Sequence, residues 1–222
     1  MENIMTKKTR QLLASVVLIA GIGLTSVTTA HAADEGAAST TQSTTGNVTL
    51  TAGEDPENPG AGGVMLKAAP YVTVPSTEID GKDQTISGTI DAGAHTGTND
   101  GKLTVVNAGH KTSWDVQVAA EKFASSDGDI IGGSTLTLSG GKVVAAGTSQ
   151  LPSDLSTSLI FNTGSATANQ KVIGATYNAE SKEGVGSFDT TYDTAKLDLK
   201  AGNVAGDYQS TLTWTLTNTP QA

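Results

Sequence analysis

The sequence predicts an all-β protein, an antiparallel β-sandwich of Ig-like or Greek-key type with Gly-rich loops. Three observations lead there. Threonine is abundant, at 34 of 222 residues, alongside 26 Gly, while charged residues make up only 16%. β-Branched residues suit a pleated surface and Gly suits turns. Short segments alternate polar and apolar residues with a period of two, and turn residues separate them. No segment offers three turns of helical period; only Glu121 to Ser125 and Asp154 to Leu159 leave room for a short helix.

The elements follow in order. Residues 1–32 read as a secretory signal: Lys7, Lys8 and Arg10 form a positive n-region, Leu12 to Leu24 an apolar stretch, and Ala30-His31-Ala32 a small-residue cleavage site. The stretch is shorter than the roughly 20 residues a bilayer span needs, which disfavours an uncleaved anchor, and no second hydrophobic stretch follows, so no membrane insertion is expected after the signal is removed. Residues 33–45 are polar, without periodicity, and read as a flexible lead-in. Residues 46–222 are then one β-domain. Asn47 to Thr51 alternates as a first strand, and Met65 to Val74 is extended up to Pro75. Thr85 to Ile90, Leu103 to Asn107 and Trp114 to Ala119 follow, the last with Trp114, Val116 and Val118 on one face. Ser134 to Ser139 leads into Gly140-Gly141, a hairpin signal, from which Lys142 to Ala146 returns. Lys171 to Tyr177, Gly186 to Tyr192, Ala195 to Leu199 and Gln209 to Thr217 complete about ten strands. In the last, Leu212, Trp214 and Leu216 point one way and Thr211, Thr213, Thr215 and Thr217 the other.

Charge and residue inventory exclude several functions. Loss of residues 1–32 removes three basic residues and one acidic residue, so the formal charge moves from −9 to −11 and the sole Arg disappears. An acidic chain without Arg is not built for nucleic acid. With no Cys there is no disulfide scaffold, thiolate metal site or Cys nucleophile. His95 and His110 sit in Gly-rich contexts and read as solvent-facing turn residues, with no G-x-S-x-G or H-E-x-x-H beside them. Asn99-Asp100-Gly101 and Asp127-Gly128-Asp129 offer oxygen ligands but follow no calcium-loop spacing, so they read as turn chemistry. No catalytic residues, metal or cofactor are expected.

The two tryptophans remain. Trp114-Asp115-Val116 and Trp214-Thr215-Leu216 place both in matching strand contexts. Alternation favours Trp114, Val116, Trp214 and Leu216 as core over a carbohydrate-stacking or partner-docking surface, and sets the Thr row on the outer face, where it stands exposed or lines a contact surface. The run Tyr208 to Pro220, with Trp214-Thr215-Leu216 at its centre, resembles the distal motif of WxL-domain surface proteins of low-GC Gram-positive bacteria. Trp114 to Val118, Ile131 to Leu138, Gly184-Val185-Gly186 and Ala201 to Gly206 follow the order of that family, although the first motif reads Trp-x-Val and the end reads Asn-Thr-Pro. The resemblance implies non-covalent attachment to the cell wall with peptidoglycan as receptor. It also implies surface complexes with partner proteins, some of them membrane-anchored.

Overall fold

The computed structural model describes residues 45–53, 63–91 and 101–220. Among them there are fifteen strands and no helix. In chain order these are β1 (Val64–Ala68), β2 (Tyr71–Thr73), β3 (Gln84–Asp91), β4 (Leu103–Asn107) and β5 (Thr112–Ala120). Next come β6 (Ala124–Ser125), β7 (Thr135–Ser139), β8 (Lys142–Ala145), β9 (Asp154–Leu155) and β10 (Ser158–Asn162). The last are β11 (Thr167–Ala175), β12 (Gly186–Thr191), β13 (Thr194–Leu199), β14 (Tyr208–Gln209) and β15 (Leu212–Pro220). They build a first sheet in the order β1-β4-β12-β8, a second in the order β10-β7-β13-β3-β2, a third in the order β15-β5-β11-β9, and a small β14-β6 ladder. Every pairing is antiparallel. The class and the layered antiparallel architecture are those expected from the sequence.

Alternation decides which side chains enter the core. Leu103, Val105 and Asn107 of β4 are buried, as are Thr112, Trp114, Val116, Val118 and Ala120 of β5, with half-buried residues between them. Leu136, Leu138, Leu159 and Phe161 enter from the second sheet and Phe188 from the first, joining one cluster. Each fully buried aliphatic or aromatic side chain contributes on the order of 1.5–3 kcal/mol. The cluster therefore stabilises the chain without any cross-link, as a sequence lacking Cys requires.

Chain segments pass between sheets at corners, where a strand bends and continues in a new layer. The Gly140-Gly141 turn is such a corner and not a hairpin. β7 pairs with β10 and β13 in the second sheet, whereas β8 pairs with β12 in the first. Thr194 faces Ser139 before the corner and Thr191 faces Lys142 after it, three residues on along each strand. One antiparallel ribbon thus runs through both sheets with its register unbroken. Packing explains why the hairpin signal misleads. Gly140 has φ +75°, and a Cβ there would lie 2.7 Å from an Asp193 carboxylate oxygen. A Cβ on Gly141 would meet the Ser156 carbonyl oxygen at 2.7 Å and the Tyr192 ring at 2.9 Å. The glycines let the two strands of the ribbon and the Ser156 loop approach at the bend.

Other expectations need correction. Asn47 to Thr51 is not a strand: its residues are exposed and, among the described residues, no strand pairs with it; further on, Gly53 N–H donates to the Ala108 carbonyl at 2.9 Å. The stretch Met65 to Val74 is two strands, β1 and β2, interrupted at Ala69-Pro70. The two places left for a helix are not helical: Ala124–Ser125 pairs with β14, and Asp154–Leu155 pairs with β11. The last strand is likewise divided. The Ser210 hydroxyl donates to the Glu121 carbonyl at 2.6 Å and the Thr211 carbonyl accepts the Glu121 N–H, while the register moves by one residue between the β14–β6 ladder and the β15–β5 ladder. The signal and most of the lead-in lie outside the described residues.

Candidate functional site

β15 pairs with β5 along its whole length, from Leu212 opposite Ala120 to Pro220 opposite Thr112, with no shift of register. Residues directly opposite one another share a face. Leu212, Trp214 and Leu216 therefore lie on the same inner face as Ala120, Val118 and Val116, while Thr213, Thr215, Thr217 and Thr219 share the outer face with Ala119, Gln117, Asp115 and Ser113.

On the inner face the two tryptophans have different surroundings. Trp114 is 3% exposed. Its ring packs against Phe188 at 5.9 Å between centroids, and its Nε1 donates to the Gly184 carbonyl at 2.9 Å. Val116 beside it is fully buried. Trp214 and Leu216 are half-buried and pack against the edge of the same cluster. The tryptophans stand on one face but not in contact. Trp114 is opposite Asn218, and Trp214 is opposite Val118, four residues along β5.

The outer face is polar and open. Thr211, Thr213, Thr215, Thr217 and Thr219 are all exposed. At one end lies a shallow depression of about 140 Å³, lined among others by Ser113, Asp115, Asp154, Lys171, Gly174 and Thr219. Gly174 lies between Asp115 of β5 and Asp154 of β9. A Cβ on it would come within 3.1 Å of the Lys171 side chain and 3.3 Å of Asp115 Cβ, so the glycine leaves the floor low. Lys171 is ion-paired with Asp154, and Gln117 donates to Asp115 at 2.9 Å. Hydroxyls, carboxylates and an ammonium set over a flat Thr row can engage a polar, hydrogen-bonding ligand. Sequence reasoning identified the Thr row but missed the depression. Its signal is Gly174, a glycine inside a strand, which marks a close approach or a gap.

Elsewhere the structure assigns packing roles. His110 is half-buried, and not simply solvent-facing. Buried Asn107 accepts its N–H at 2.8 Å and donates to its carbonyl at 3.0 Å, and its Nε2 lies 2.8 Å from the Gly53 carbonyl. Asp127 and Asp129 sit in an exposed turn around Gly128, which has φ +91°. Among the described residues no group of three or more His, Cys, Asp or Glu side chains is placed to hold a metal ion. His95, Asn99 and Asp100 lie outside the described residues. Asp189 of β12 is partly withdrawn from water, which raises its pKa. Hydrogen bonds from Lys102 and Thr104, both 2.7 Å long, more than offset this and hold the carboxyl below its ordinary range. Burial raises the Tyr192 phenol well above its usual value.

The family model for the WxL domain, described as surface cell wall-binding, matches residues 37–220. No curated protein and no solved structure matches the chain. The match takes in both tryptophan strands, the corner ribbon and the Thr face, and the chain belongs to the WxL-domain family of cell-wall-binding surface proteins.

Proposed function

We propose that this protein is secreted, has no catalytic role, and attaches non-covalently to peptidoglycan through the outer face of the third sheet. The observation that carries the reading is the continuous polar surface formed by Thr213, Thr215 and Thr217 on β15 with Asp115 and Gln117 on β5, ending in the depression at Gly174. Such a surface suits a ligand rich in hydroxyl and amide groups. The inner Trp face supports it from beneath. The test is co-sedimentation of the purified protein with purified peptidoglycan. The protein should pellet with the wall, and a T213A/T215A/T217A variant should remain in the supernatant while melting at nearly the wild-type temperature. A wild-type protein that stays in solution at physiological salt would refute direct attachment.

A second reading makes the chain a subunit of a surface complex, held by membrane- or wall-anchored proteins. It is favoured by β15 itself, an outer strand of nine residues without a charged side chain. Outer strands of this kind accept a further strand. Walls stripped of other surface proteins would fail to retain the protein under this reading.

A further inference from the structure

The outer strands of the three sheets are protected in different ways, and β15 stands apart. β2 and β9 are only three and two residues long. β1 carries Lys67 and an irregularity between Leu66 and Ala68. β8 begins with exposed Lys142. On β10 the Gln170 side chain closes the edge, accepting the Ile160 N–H at 3.2 Å and donating to its carbonyl at 2.8 Å. Short strands, lysines, bulges and covering groups are the usual means of keeping an edge from pairing. Along Leu212 to Leu216 β15 is regular and uncharged and, among the described residues, forms a ladder only with β5, although β1 of the first sheet lies close to part of the strand.

The sequence of this strand is also its own mirror. Thr211-Leu212-Thr213-Trp214-Thr215-Leu216-Thr217 reads identically in both directions about Trp214. A two-fold axis pairs a surface with itself, so a palindromic antiparallel strand is self-complementary at every position. With the axis at Trp214, Leu212 faces Leu216 of the partner subunit, Thr213 faces Thr215 of the partner subunit, and the two tryptophans form a cross-strand aromatic pair. The exposed hydroxyls of both copies fall on one side and the half-buried apolar side chains on the other.

We propose that β15 pairs with β15 of a second copy, joining the two third sheets into one continuous antiparallel sheet. Because the chain is strongly acidic, its copies repel at long range. Pairing should therefore strengthen as salt rises from low to physiological ionic strength and screens that repulsion.

The experiment is sedimentation velocity of the purified protein across a concentration series at two salt levels. A reversible monomer–dimer equilibrium, tighter at the higher salt, is expected. The T213K/T215K variant sets two lysine pairs directly opposite one another across the axis and should weaken the dimer by at least about tenfold. T213E/T215E should do the same. An equimolar mixture of the two variants should restore a heterodimer, because lysine then faces glutamate, and a misfolded chain would not be rescued in this way. The proposal is overturned if the wild-type protein stays monomeric throughout, which would leave the edge to an unrelated protein strand. It is equally overturned if the double-lysine chain dimerises as tightly as the wild type, or if mixing restores nothing.

Discussion

The indole of Trp114 donates its Nε1–H to the carbonyl of Gly184 at 2.9 Å, and the same nitrogen would lie 2.9 Å from a Cβ at position 184. That Cβ would also fall 2.3 Å from the Cβ of Ala175. Gly184 has φ +72°, a conformation costly for residues with a side chain. The tryptophan of the first motif and the glycine seventy residues later therefore form one unit. Gly184→Ala is expected to destabilise the protein by about 2–4 kcal/mol, combining backbone strain and overpacking. Urea denaturation followed by Trp fluorescence will report both the loss and the altered indole environment.

The two tryptophan positions should differ. Trp114 is enclosed, so Trp114→Ala should cost on the order of 3–5 kcal/mol, and any wall binding should be lost along with the fold. Trp214 is half-buried at the edge of the cluster. Trp214→Ala should lower the melting temperature by clearly less. Equal losses at the two sites in paired thermal melts would contradict this difference in packing.

The corner at Gly141 provides a third prediction. The Tyr192 hydroxyl donates to the Ser156 carbonyl at 3.1 Å, fastening the bend of the ribbon to the loop beside it. Tyr192→Phe should cost about 0.5–1.5 kcal/mol near neutral pH. Its pH signature is alkaline. The folded pKa is raised above the unfolded value by burial, so the stabilisation is full below about pH 10 and declines as pH rises beyond it. Stability curves of wild type and Y192F should converge in that upper window. Parallel curves would show that ionisation of Tyr192 does not contribute.

Acid should act through Asp189. Its carboxyl is held below the ordinary range, so its contribution is present above about pH 4 and is lost as pH falls through the lower folded pKa. Asp83 acts in the same direction: Lys200 and the Ala201 N–H both donate to it, although both side chains of this ion pair are exposed. Asp189→Asn should therefore lower stability at neutral pH and flatten its decline in acid. Denaturation midpoints measured between pH 2 and pH 7 will show whether the slopes differ.

Strands were legible where a period of two ran for five or more residues between turn residues. Trp114 to Val118 and Leu212 to Thr217 are examples, because alternation reports burial directly. The same signal failed at Asn47 to Thr51, where alternation is present but, among the described residues, no neighbouring strand completes a ladder. Pairing was the harder matter. Gly140-Gly141 carries the residue types of a hairpin, yet the chain crosses to another sheet there, and only contacts with Ser156, Tyr192 and Asp193 distinguish the two outcomes. The Thr row was visible for the reason that strands were. The depression was not, because Asp115, Lys171, Gly174 and Asp154 come from three strands whose register no single segment encodes.

The ribbon that turns through the corner makes the first and second sheets energetically inseparable. Neither can fray completely without opening a ladder that belongs to both. Amide protons on β7, β8, β12 and β13 should therefore exchange through one shared opening and form a single foldon, not one for each sheet. On a cell surface, where proteases sample whatever opens, that coupling denies them a partly unravelled domain.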